Sequence, residues 1–285
     1  MSLTAFRLTA PEHASAPVVV ASPHSGRAYD WRFMESTILD AQGIRSSEDA
    51  YVDLLLERVP PLGVPLLTAE VPRAFVDLNR AAEELDPALV RGVARGGANP
   101  RVNSGLGVIP RVVAQGRAIY EGKISREEAR ARIQDVWQPY HDQLAELMAG
   151  AHARFGQAVL LDFHSMPHEA IEGSAPKGRA PEIVLGDRFG AAAAPEMVEP
   201  VEAIFAELGF RVARNAPFAG AYIAQTYGKP DRGRHVIQVE IDRALYMDEA
   251  RLRPNDQFET IRNLLTEAVA RVCAATRPAA RVAAE

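Results

Sequence analysis

The feature that most limits how this chain can fold is a set of short apolar runs that end on polar residues. Val18-Val19-Val20-Ala21 leads into Ser22-Pro23-His24, Val159-Leu160-Leu161 into Asp162-Phe163-His164, and Val236-Ile237-Gln238-Val239 into Glu240. Such Val-, Ile- and Leu-rich runs without clean alternation are what a sheet covered on both faces requires. Residues 17–22, 64–70, 74–78, 158–163, 182–185, 210–213 and 235–241 read as strands of this kind.

Helical patterns lie between them. Residues 47–58 place Val52, Leu55, Leu56 and Val59 on one face. Ser125 followed by Glu128 has capping-box spacing, so a helix is predicted to start there and run towards Phe155, with Pro139 expected to kink or break it. Residues 195–208, closed by Gly209, and 256–274 complete the set. Alternating strands and helices imply an α/β sandwich with a parallel or mixed sheet. No repeat or long linker divides the 285 residues, which reads as one domain spanning 1–285.

Two stretches resist the pattern. Residues 81–119 carry Pro87, Gly92, Gly96, Gly97, Pro100, Gly105, Gly107, Pro110 and Gly116, and 215–234 carry Pro217, Gly220, Gly228, Pro230 and Gly233. Long Gly/Pro-rich segments inside a compact domain are often functional loops, and both are expected to cover a site.

Composition narrows the class. A net charge of -5 with scattered basic residues argues against a nucleic-acid surface. No apolar run reaches the roughly 18 residues of a membrane span. Cys273 is the sole cysteine, which rules out an intrachain disulfide and suits a reducing compartment. Residues 1–10 lack the basic-then-apolar order of a secretory signal. The expectation is a cytoplasmic protein.

His24 and His164 both follow strands, where open α/β sheets build their ligand crevice, and neutral imidazoles placed there are natural zinc ligands. A catalytic zinc takes three protein ligands and leaves a position for water, and the third is often a carboxylate. Glu48-Asp49 offers one, although acids at a helix start also favour the helix dipole. Asp162, two residues before His164, points to the same side of the strand and suits an outer partner that orients a ligand. Glu240 puts a charge in an apolar strand, where burial would tune it as a general base. Arg73 and Arg80 bracket the run 74–78 and offer guanidinium forks for carboxylates.

Together these pieces resemble the N-formylglutamate amidohydrolase family. The matching segments are Ser22-Pro23-His24-Ser25-Gly26, Glu48-Asp49-Ala50-Tyr51-Val52-Asp53, Phe75-Val76-Asp77-Leu78-Asn79-Arg80, Asp162-Phe163-His164-Ser165-Met166-Pro167, and Gln238-Val239-Glu240-Ile241 with Tyr246-Met247-Asp248-Glu249. The resemblance implies a three-layer α/β/α sandwich with a mixed, largely parallel sheet, similar to zinc carboxypeptidases and aspartoacylase. It implies Zn2+ held by His24, His164 and Asp49, with Glu48 as the alternative third ligand. Glu240 then resembles the base that activates water, Arg73 the group that polarises the scissile carbonyl, and Asn79-Arg80 the pair holding the substrate α-carboxylate. For the side-chain carboxylate, Arg234 is named alongside Lys229, Arg232 and Arg243. The implied reaction is hydrolysis of N-formyl-L-glutamate, or a related N-acyl acidic amino acid, usually within histidine breakdown. The alternatives are an aspartoacylase-like or carboxypeptidase-like hydrolase and a non-catalytic amino-acid-binding protein. A serine hydrolase on Ser25 or Ser165 is disfavoured, since neither lies in a Gly-x-Ser-x-Gly elbow.

Overall fold

The computed structural model describes residues 4–94, 99–172 and 180–277. Seven strands form one mixed sheet: β1 (Phe6–Thr9), β2 (Val18–Ser22), β3 (Leu66–Ala69), β4 (Ala158–Met166), β5 (Ile183–Gly186), β6 (Val212–Arg214) and β7 (Arg234–Asp242), in the order β1-β3-β2-β4-β7-β5-β6. The four central strands β3, β2, β4 and β7 are parallel. β1 and β5 run antiparallel to β3 and β7 respectively, and β6 pairs parallel with β5. β2 and β4 are buried along their whole length, which is why they read as continuous apolar runs.

Helices cover both faces. On one, Val159, Leu161 and Phe163 of β4 and Ile237, Val239 and Ile241 of β7 pack with the Phe258–Thr276 and Pro195–Glu207 helices. On the other, Leu160 and Val236 meet Tyr140, Leu144 and Met148 of the Gln138–Phe155 helix. Strand periodicity continues this second row into Asp162 and His164 on β4 and into Gln238 and Glu240 on β7. The row therefore changes from apolar to polar near the carboxyl ends of the strands, and a cleft opens there. Register places His164 opposite Glu240 and Asp162 opposite Gln238.

Several local expectations are corrected. Residues 74–78 form turns and irregular backbone: the Phe75 N–H bonds the Pro72 carbonyl and the Asp77 N–H bonds the Val108 carbonyl, so no sheet ladder is made. Within 47–58 the helix shrinks to Val52–Leu55, because Tyr51 before it sits at a φ of 66°. Ser125 does cap a helix, its Oγ accepting from the Glu128 N–H. Pro139 does not break that helix; Ile133–Trp137 form a π-helical turn ahead of it and the α-helix resumes at Gln138. Both Gly/Pro-rich stretches border the cleft, through Arg101, Ser104 and Leu106 on one side and Phe218 to Ala221 on the other. Gly96 and Gly97 lie outside the described residues.

Gly26 ties the loop after β2 to the one after β3. A Cβ there would lie 2.2 Å from the Val71 carbonyl oxygen and 2.6 Å from its carbon. Gly26→Ala is expected to cost about 1–3 kcal/mol through forced backbone shifts. Urea unfolding checks this, and an unchanged midpoint would contradict the close approach.

Candidate active site

The sharp turn after β2 delivers His24, whose own carbonyl accepts the Asp49 N–H at 3.0 Å and so ties the two segments together. His24 Nε2 lies 2.8 Å from Asp77 Oδ1, and His164 Nε2 lies 3.1 Å from Asp162 Oδ2. With each Nε2–H donating to its carboxylate, each Nδ1 is left with a bare lone pair. The two Nδ1 atoms face one another at 3.1 Å, and Asp49 Oδ2 stands 3.0 Å from His164 Nδ1 and 3.5 Å from His24 Nδ1. All of these residues are buried.

Three electron-rich atoms this close repel unless a positive charge lies among them. The titration of the site reflects that demand. Burial opposes charge on His164, yet Asp162 and Asp49 hold its pKa well above the ordinary imidazole range. Burial likewise opposes ionisation of Asp49, but hydrogen bonds from His164 and His24 prevail and keep its carboxyl well below the usual range. A metal ion answers the same demand as a proton. Bonds of about 2.0–2.1 Å at tetrahedral angles put ligand atoms roughly 3.3 Å apart, which is the size of this triangle. His24, Asp49 and His164 are the group of potential ligands that the described residues bring together, and they fit a divalent cation.

Around them is a shell of partners. Asp77 also accepts from Arg73 Nε at 3.0 Å and from the Asn79 N–H at 2.9 Å, so one carboxylate fixes a histidine, an arginine and a turn. Arg243 donates to Asp49 Oδ1 at 3.2 Å and to Ser165 Oγ at 3.0 Å, orienting the carboxylate. Glu240 Oε1 accepts from Gln238 Nε2 at 2.8 Å. Burial raises the Glu240 carboxyl to about 7, with His164 pulling it down and Asp49 pushing it up.

His24, Asp49, Arg73, Asn79, Arg80, His164 and Glu240 all line a single cleft of about 600 Å³. Four residues named from sequence, Glu48, Lys229, Arg232 and Arg234, do not join them. Glu48 turns away, accepting from Tyr29 Oη at 2.6 Å and from both Arg45 Nε and Nη2 at 3.0 Å. Arg234 opens β7 beside Ala158, six positions before Glu240, which at about 3.3 Å per residue puts it some 20 Å away at the other end of the sheet. Lys229 precedes and Arg232 ends the short turn Pro230–Arg232 just before it. Of that set, Arg243 alone lines the cleft. The Asn79 side chain is held from within, its Oδ1 accepting the Ile223 N–H at 2.8 Å.

The sequence reading assigns no role to Asp77, Gln238 or Arg101, although the first two stand in the matching segments. Asp77 had a signal, an acid inside an apolar run like Glu240. Gln238 is two residues from Glu240 and shares its face. Arg101 sits on a short helix, Pro100–Asn103, in the Gly/Pro-rich stretch, and nothing in its neighbours marks it.

Comparison with known proteins gives the family. The family model for N-formylglutamate amidohydrolase matches residues 16–247. An N-formylglutamate deformylase from Pseudomonas aeruginosa is 30% identical over 240 residues, covering 82% of this chain and 83% of the relative. One from Pseudomonas putida is 26% identical, covering 82% of each. The crystal structure of N-formylglutamate amidohydrolase from Ralstonia eutropha is 35% identical and superposes with a TM-score of 0.89 over 96% of this chain and 99% of that one.

The arrangement carries an expectation for metal binding. Equilibrium dialysis with elemental analysis is expected to find one divalent cation per chain. Asp77→Asn, which weakens the hold on His24, should lower affinity roughly 10–100-fold, as loss of outer-shell partners does elsewhere. Unaltered affinity in that variant would contradict the geometry.

Proposed function

Because the chain belongs to the N-formylglutamate amidohydrolase family, we propose that it hydrolyses the amide bond of N-formyl-L-glutamate, releasing formate and L-glutamate. The observation that carries this reading is Glu240: a buried carboxylate on β7, opposite His164 on β4 and beside a cluster fit for a metal. Zn2+ is the proposed ion, held by Nδ1 of His24, Nδ1 of His164 and Asp49, and when bound it would lower the pKa of a water to about 7 and polarise the amide carbonyl.

The chain's own residues do the rest. Glu240 takes the proton of the attacking water, with Gln238 fixing its Oε1. Arg73, anchored through Nε by Asp77, directs its remaining N–H groups at the oxyanion that develops on the amide oxygen, a contribution of about 3 kcal/mol for one such donor. Glu240 then returns the proton to the departing amine. Arg80 holds the α-carboxylate beside Asn79. Its Nε and Nη1 bond the carbonyls of Leu106 and Asn79, and Nη2 has no partner among the described residues. Arg101 at the cleft rim and Arg243 replace Arg234 as the groups proposed for the side-chain carboxylate. The whole chain acts as one catalytic unit. The proposed setting is cytoplasmic, in histidine breakdown, which is the family's usual one.

Glu240→Gln is expected to cut formate release by about 10²–10⁴-fold while bound metal is retained. A variant within tenfold of wild type would remove Glu240 from the mechanism. The base works only when ionised, so kcat/KM should fall as pH drops through its pKa, near 7 without a cation and lower beside one. A flat profile from pH 5 to 8 would contradict that role.

A further inference from the structure

The helical stretch from Arg126 to Phe155 changes winding in the middle. Arg126–Arg132 is α-helical, Ile133–Trp137 is a π-helical turn, and Gln138–Phe155 is α-helical again. Pro139 gives the reason for the change. It has no N–H, and its ring crowds the carbonyl four residues back, at Asp135, so a wider turn lets the helix pass. The turn also has a consequence for which side chains share a side. In an α-helix, residues five apart lie about 140° apart around the axis. A turn closed by i→i+5 bonds returns them to one side.

Arg132 and Trp137 are five apart, and His141 follows four later. All three are buried, and all three donate to one segment. Arg132 Nη1 reaches the Phe75 carbonyl at 3.3 Å, Trp137 Nε1 the Arg80 carbonyl at 2.9 Å, and His141 Nε2 the Leu78 carbonyl at 2.9 Å. The Arg132 guanidinium also lies 4.1 Å from the centre of the Phe75 ring. Since a carbonyl only accepts, His141 carries its proton on Nε2, and its Nδ1 lies 2.9 Å from Tyr227 Oη, whose hydroxyl also reaches the His141 carbonyl at 3.0 Å. Burial draws the His141 pKa down to about 4, so the ring stays neutral and keeps that tautomer at physiological pH.

The clamped segment has neither strand nor helix to pair its carbonyls, and buried carbonyls need partners. It is also the segment that presents Arg73, Asp77, Asn79 and Arg80 to the cleft. We propose that the π-helical turn sets the register of a three-point clamp, in which Arg132, Trp137 and His141 are positioning residues for catalysis. They touch no substrate. They hold the backbone that aims Arg73 and Arg80 and, through Asp77, turns His24 towards the metal cluster. The inference rests on the reading of the site given above.

Two variants test it. Pro139→Ala restores the missing N–H and removes the ring that crowds the Asp135 carbonyl, so the turn can close as an α-helix and Arg132, still five residues before Trp137, swings off the shared face. Trp137→Phe removes one N–H and keeps a ring. The readouts are backbone amide hydrogen exchange, Co2+ affinity and absorption spectrum, and kcat and KM on N-formyl-L-glutamate. In Trp137→Phe, amides of Asp77 and Asn79 should exchange at least about tenfold faster while those of β4 and β7 hold their protection. Co2+ binding should weaken about tenfold, with an altered spectrum. kcat should fall about ten- to a hundredfold, more than KM changes. Pro139→Ala should move the same readouts in the same direction; if it fails to fold, Trp137→Phe decides alone. The clamp is overturned if Trp137→Phe leaves both local exchange and Co2+ binding at wild-type values, or if protection drops evenly across the sheet. An inactive wild type, with the Co2+ and exchange effects intact, would keep the clamp and overturn the substrate assignment instead.

Discussion

Each imidazole at the centre of the cleft is backed by a buried carboxylate on Nε2, Asp77 for His24 and Asp162 for His164. Those two bonds settle the tautomers, turn both Nδ1 atoms inward, and create the electron-rich triangle with Asp49. Everything else in the site follows from holding the two acids in place. Asp162 comes with its strand, two residues ahead of His164 on the same face. Asp77 sits on irregular backbone and depends on contacts from outside: the Val108 carbonyl, Arg73, and the side chains that hold neighbouring carbonyls.

Concentrating charge in a core is expensive, and unpaired buried ions are strongly destabilising. Here Asp49, Asp77, Asp162 and Glu240 face the guanidinium groups of Arg73, Arg80 and Arg243, all lining or adjoining one cleft. A divalent cation in the triangle would tip this balance to positive. That suits a substrate bearing two carboxylates and leaves Glu240 as the group whose ionisation is most finely poised. The sheet limits the cost by confining polar residues to the last turns of two rows. Leu160 and Val236 are packed under the Gln138–Phe155 helix, and only beyond them do Asp162, His164, Gln238 and Glu240 appear.

Much of this was legible in the letters where local pattern and tertiary role coincide. His24 and His164 stand out because an apolar strand must end before a polar residue can line a crevice. Glu240 stands out because a buried charge in a strand needs a reason. The Ser125 cap was visible because capping is local. Arg234 misled because four basic residues stood as equals in the letters, and only the strand register shows six residues of extended chain between it and Glu240. The run 74–78 misled because its apolar letters bury a turn whose carbonyls are claimed by side chains rather than by a neighbouring strand. Glu48 and Asp49 differ only in which way adjacent side chains point, a choice made by Arg45 and Tyr29 on one side and Arg243 on the other. The π-helical turn left a trace in Pro139, but its effect on Arg132 and Trp137 appears only once the partner segment is in place.

The most direct measurement of the central claim is a crystal structure of zinc-loaded protein with anomalous data collected at the zinc edge. The expected result is one strong peak per chain, bonded to Nδ1 of His24, Nδ1 of His164 and an Asp49 oxygen at about 2.0–2.1 Å, with both Nε2 atoms still on their carboxylates. A peak at another cluster, or coordination through Nε2 with Asp77 and Asp162 displaced, would contradict it.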